Sequence, residues 1–114
     1  LSHGARAAAR DALGATPLHR AAGGGKLDCA RALVEEGGAQ VDADDKAGAT
    51  PLFVAIASGH APVAVYLASR GAKLDAPTKE GETPLDAAAG DLAAELRRAA
   101  EGGEAGFTAL AQRA

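Results

Sequence analysis

The chain has no Met, no Trp and no Asn, and only one Tyr, one Cys, one Ile and two Phe in 114 residues. So few aromatics leave little for bases to stack on. The cations lean toward the start without forming a dense patch, so nucleic acid is not an expected partner. A single cysteine, Cys29, permits no internal disulfide and fits a reducing setting. No stretch approaches the ~18 apolar residues of a membrane span, and no signal-peptide pattern opens the chain. An intracellular, cytoplasmic protein without a membrane partner is therefore expected. The missing Asn and the lone Ile56 read as compositional skew with no functional content.

What is present is alanine, 32 residues of it, within an apolar fraction of 47% and a formal charge of −3. Alanine is the best helix former and buries little surface, so many closely packed helices are expected rather than one thick core. The sequence also repeats. Thr16-Pro17-Leu18 returns as Thr50-Pro51-Leu52 and as Thr83-Pro84-Leu85, at spacings of 34 and 33 residues. Gly14, Gly48 and Gly81 each stand two residues before the threonine, and Gly25 and Gly59 nine residues after it. Asp42-Ala43 and Asp75-Ala76 close successive units.

Each recurring residue has a physical role. Thr can cap the free N–H groups of a helix start, and Pro at the first helical position sacrifices no hydrogen bond. Leu18, Ala21 and Ala22 form an apolar stripe at helical spacing, repeated as Leu52, Ala55 and Ile56. Gly25 and Gly59 end that short helix. A second helix follows, with Leu27, Ala30, Leu33 and Val34 inward, matched by Val63, Leu67 and Ala68, and Gly37 and Gly71 are expected to stop it. The polar stretches 42–49 and 75–82 read as loops turning through Gly48 and Gly81.

This helix–turn–helix–hairpin unit with its Thr16-Pro17-Leu18-His19-Arg20-Ala21-Ala22 signature resembles the ankyrin repeat over roughly residues 4–100. The Gly59-His60 pair is similar to the family as well. The resemblance implies an all-α solenoid of L-shaped units stacked side by side, with β-hairpin-like loops along one edge. It also implies that the histidine after Leu ties neighbouring loops by hydrogen bonds. His19 holds that place; Phe53 and Asp86 replace it in the later units, where the tie is in question.

The expected organisation is the end of a preceding partial repeat at 1–10, ankyrin repeats at 11–44 and 45–77, and a shortened capping repeat at 78–103. Residues 104–114 read as a tail helix, as the decayed start of a further repeat, or as a ligand-like peptide. Residues 1–10 are either the remnant of an array that continues upstream or a loose cap. In the shortened repeat, Glu95, Arg97, Arg98 and Glu101 suit a terminal face turned to water.

No catalytic set emerges. Gly23-Gly24-Gly25-Lys26 superficially suggests a phosphate loop. That motif would need glycine where Arg20 stands and a hydroxyl where Leu27 stands, and it follows a strand rather than joining two helices. Cys29 takes a place that such repeats fill with an apolar residue, so burial is expected. His3, His19 and His60 are scattered over separate units without metal-ligand spacing. His19 and His60 are read as loop and turn hydrogen-bonders. Paired acids such as Glu35-Glu36 are read as solvated charge. No cofactor, metal or enzymatic activity is expected.

Binding by shape is what remains. The positions left free by the repeat pattern are Ala12, Leu13 and Ala15 at the first hairpin, Lys46, Ala47 and Ala49 at the second, and Lys79, Glu80 and Glu82 at the third. On the inner helices, Arg20, Gly23, Gly24, Phe53, Ala57 and Ser58 come next. Leu13 either anchors a partner or packs on a neighbouring loop. Phe53 more readily fills space between repeats. The expected function is a non-catalytic scaffold binding a protein or peptide, with the chain a monomer. The alternative is a structural or regulatory segment of a larger multidomain protein.

Overall fold

The computed structural model describes residues 10–88 and 90–101. In this range the chain forms α1 (Pro17–Gly24), α2 (Leu27–Glu35), α3 (Pro51–Ala57), α4 (Ala61–Ser69), α5 (Pro84–Ala87) and α6, helical from 91 through 101. Among the described residues there is no β-strand.

Identical local chemistry starts α1, α3 and α5. Thr16, Thr50 and Thr83 are extended, with φ of −90°, −92° and −96°. Each threonine Oγ accepts from the backbone N–H three residues on, at His19, Phe53 and Asp86, and a proline follows the cap. One orphan donor of the first turn is thereby satisfied, and the proline removes another. Gly25 closes α1 in the left-handed region at φ +69°, which lets the Lys26 N–H reach the Ala21 carbonyl at 2.9 Å.

The inner helices form a row, α1 on α3 and α3 on α5. Outer helices α2 and α4 pack on one another and on their own inner helices. One contiguous core results, with Leu18, Leu52, Leu67, Tyr66 and Leu96 fully buried among Ala22, Ala30, Ala55, Ala64, Ala68 and Ala99. Methyl-sized side chains let the helices approach closely enough for so few large residues to fill the space. Every residue from 63 to 69 of α4 is buried, as befits the central outer helix.

Two local expectations, on Gly37 and on Cys29, need correction. The left-handed glycine that follows α2 is Gly38 (φ +67°), not Gly37. The Ala39 N–H bonds back to the Leu33 carbonyl, six residues away, whereas Ala72 bonds to Leu67, five away. The extra residue that makes the first spacing 34 instead of 33 is therefore absorbed at the end of α2. Helix α5 stops at Ala87, because Ala88 is extended with ψ 128°. Finally, Cys29 is exposed. Its counterpart 34 residues on, Val63, is only 1% exposed. A hydrogen bond from Tyr66 to Glu35 and the contact of Arg31 with the Tyr66 ring place Arg31 and Glu35 on the side of α2 facing α4. Cys29 lies on the opposite side of the helix, which no described residue covers.

Candidate functional site: the hairpin row and inner-helix face

Each hairpin is organised by one polar side chain. Asp11 Oδ1 accepts from the N–H groups of Leu13 (2.8 Å) and Ala15 (3.0 Å), and Asp45 Oδ1 does the same for Ala47 and Ala49, both at 2.9 Å. In the third hairpin the Thr78 hydroxyl replaces the carboxylate and accepts from Glu80 and Glu82, both at 3.3 Å. Backbone bonds close the same turns: Gly14 to Asp11, Gly48 to Asp45 and Gly81 to Thr78, each at 2.9 Å. Side chains of this kind stabilise turns by bonding to backbone N–H groups nearby. Asp11, Asp45 and Thr78 were missed as determinants of the surface. The signal was their common place three residues before the turn glycine.

The hairpins are joined edge to edge. Lys46 N–H donates to the Leu13 carbonyl and Lys79 N–H to the Ala47 carbonyl, both at 3.0 Å. Contact is tight enough that a Cβ on Gly14 would stand 3.0 Å from Lys46 N, and one on Gly48 2.8 Å from Lys79 N. These two glycines therefore serve the approach of neighbouring hairpins as well as the turn itself.

His19 links the first inner helix to the second hairpin. Its Nδ1 accepts from Thr16 N–H at 3.1 Å, so Nε2 carries the proton and donates to the Ala49 carbonyl at 2.7 Å. The ring is 3% exposed. Arg10 adds a second link by donating to the carbonyl of Asp44. The role that the resemblance implied for His19 is thus present. His60 behaves differently from its expected turn-bonding role. It makes no side-chain cap bond, and its ring lies over the Gly25 turn, with Nδ1 2.6 Å from where a Cβ would stand.

Most of the expected surface is accessible. At the tips, Ala12, Lys46, Ala47, Lys79, Glu80 and Glu82 are exposed, and Leu13 is 72% exposed, the one exposed large apolar residue among those described. The Leu13 side chain is thus largely solvent-facing, while its N–H is held by Asp11 and its carbonyl by Lys46. Along the inner helices, Arg20, Gly24, Ala57 and Ser58 are exposed, while Gly23, Phe53 and Ala15 are half-buried. Ala49 is a correction: it is 7% exposed, its N–H and carbonyl held by Asp45 and His19, so it supports the hairpin and offers no side chain to a partner. Phe53 stands where His19 stands one unit earlier and so turns partly inward. Val54 was overlooked. It is half-buried, aligns with Arg20 at the 34-residue offset, and its Cγ1 lies 3.3 Å from where a Cβ on Gly23 would be.

Charge on this surface is mostly unpaired. Arg20, with a side chain 68% exposed, pairs with Asp11 at 2.7 Å. Hydrogen bonding from Ala15 N–H, and then from Arg20, holds the Asp11 carboxyl below its ordinary range. Lys46, Lys79, Glu80 and Glu82 make no ion pair among the described residues. The stronger polar cluster lies on the outer side, where Tyr66 Oη donates to Glu35 Oε2 at 2.7 Å and Arg31 lies over the Tyr66 ring, 5.7 Å from its centroid. That cluster joins α2 to α4 on the outer side, partly buried, and includes none of the tip residues.

Among the described residues, no group of His, Cys, Asp and Glu is placed to hold a metal ion, and no helix is long and apolar enough to cross a membrane. Gly23 and Gly24 close α1 as helical residues and Gly25 caps it, so this glycine run is a helix terminus between two helices. Compared with known families, residues 1–78 match a model described as ankyrin repeats (3 copies). The match ends at Thr78, ahead of the four-residue α5. No curated protein gives a significant match.

Proposed function

The chain belongs to the ankyrin-repeat family, whose members are generally protein-interaction modules and typically non-catalytic, and from that premise we propose that it binds a protein or peptide through its hairpin tips and inner-helix face. The observation that carries this reading is Leu13. A leucine left 72% exposed on a rigidly bonded tip, beside the exposed Lys46, is the kind of group that anchors a partner on desolvation. The tips are held by the Asp11, Asp45 and Thr78 bonds and by each other, so little conformational freedom is lost on binding. Exposed Ala47, Ala57, Ser58 and Gly24 keep the adjoining face low, giving a helix or extended segment close access. A reducing intracellular compartment, the cytoplasm, suits the single exposed thiol.

The test pairs Leu13→Asp and Lys46→Glu in one variant and compares it with Glu36→Lys on the outer face. Phe53 is left intact because it is half-buried and its loss would confuse folding with recognition. Proteins captured from a lysate by the wild-type chain should be lost with the tip variant and kept with the outer-face variant, all three giving the same circular dichroism. An unchanged set of bound proteins with the tip variant would remove the tips from the binding surface.

A further inference from the structure

The two junctions between successive helix pairs are not built alike. Between the first and second, His19 Nε2 donates to the Ala49 carbonyl, and Arg10 to that of Asp44. Tyr66 Oη bonds Glu35 at 2.7 Å, and Lys73 N–H donates to Asp42 Oδ1 at 2.8 Å. Between the second and third, each of the first two devices has lost its donor. Phe53 takes the place of His19 above an identically capped helix start, and its ring has no N–H for the third hairpin. Asp44 stands at the position of Arg10, and its short carboxylate donates nothing. Asp86, the third residue in this series, turns back on its own helix start and accepts from Thr83 N–H at 3.1 Å.

Links that do reach the third pair include the Lys79–Ala47 backbone bond and the Leu85 N–H bond to the Leu74 carbonyl in the segment leading into it. The inner-helix contact is also smaller there. The inner helix α5 has four residues against eight in α1 and seven in α3. Leu85, equivalent to the fully buried Leu18 and Leu52, is only half-buried.

We propose that α1 to α4 form a locked pair, that α5 and α6 open from it as a separate unit, and that Phe53 is the side chain that leaves this junction unlocked. In a stack of repeats, overall cooperativity depends on nearest-neighbour junctions, so a weak junction splits the array into parts that open at different free energies. A histidine at position 53 would find Thr50 N–H for its Nδ1. The carbonyl of Glu82, the residue equivalent to Ala49, would be the acceptor for its Nε2.

Native-state hydrogen exchange on the full chain, at several low urea concentrations, tests this directly. The amides of Ala87 and Ala88, bonded to Thr83 and Pro84, and those of α6 should exchange at least about tenfold faster than those of Ala30, Val54 and Ala64, through an opening less sensitive to urea than global unfolding. Phe53→His should narrow that gap. The reverse change, His19→Phe, should open a corresponding gap between α1 with α2 and the rest, and it serves if Phe53→His does not fold. Exchange of all six helices through one common opening in the wild type would overturn the proposal. So would an unaltered gap in a folded Phe53→His variant.

Discussion

Replacing Gly48 by alanine puts a methyl group where the second and third hairpins meet. Two costs can be separated, because Gly81 holds the equivalent place in the third hairpin with no neighbour among the described residues. Gly48 and Gly81 have φ of +81° and +86°, so each alanine bears the same left-handed penalty of about 1–2 kcal/mol. Part of that is offset, by roughly 0.4–1 kcal/mol, because alanine restricts the unfolded chain. Gly81→Ala, with no described residue within 4 Å of its Cβ, should therefore cost ~1 kcal/mol. At Gly48 the Cβ would lie 2.8 Å from Lys79 N and 3.2 Å from the Thr78 backbone. These are backbone atoms that no rotamer change can move. The third hairpin must shift and lose the Lys79–Ala47 bond, worth about 0.5–1.5 kcal/mol net, along with packing. Gly48→Ala should cost ~2–3 kcal/mol. Urea unfolding of the wild type and both variants, followed by far-ultraviolet circular dichroism, gives the comparison. If the two variants differ by less than ~0.5 kcal/mol, the hairpins are not in the contact described and the argument for edge-to-edge joining fails.

Leu52 is fully buried in α3, the one helix packed on α1, α4 and α5. Leu52→Ala should lose roughly 2–5 kcal/mol in the same urea assay, and a loss under ~1 kcal/mol would mean that Leu52 is not core. Tyr66, the only tyrosine, has its pKa raised above the usual 10.0, first by burial and then by its bond to Glu35. A raised pKa means the neutral phenol is favoured in the folded state. Its stabilisation is complete below about pH 10 and is lost as pH rises beyond that. Tyrosinate absorbance should therefore appear only together with loss of helical signal, and Tyr66→Phe should be less sensitive to alkali. Reversible ionisation near pH 10 with the helices intact would contradict the buried placement.

The repeat was legible in the sequence because the residues that set it act locally. Thr16, Thr50 and Thr83 cap helices through bonds spanning three residues, proline fixes its own φ, and Gly25 ends α1 within one turn. None of these needs distant chain to work, so their spacing alone determined the helix starts, the family and the buried stripe of Leu18, Leu52 and Ala55. Tertiary structure decided everything that depends on what lies alongside. Cys29 and Val63 hold the same place in the repeat. One is exposed and the other buried, because α2 packs on that side of α4, whereas no described residue covers the same side of α2. Ala49 reads as a free loop position, yet its carbonyl is the acceptor for a histidine thirty residues earlier. Phe53 reads more readily as filler between repeats than as a partner anchor, but the pattern of one unit does not reveal that it stands in the slot where His19 locks a neighbouring hairpin. Exposure and inter-unit bonding are properties of pairs of units. A one-unit pattern fixes which residues face a neighbour, and only the stacked structure fixes whether that neighbour is there and what it offers.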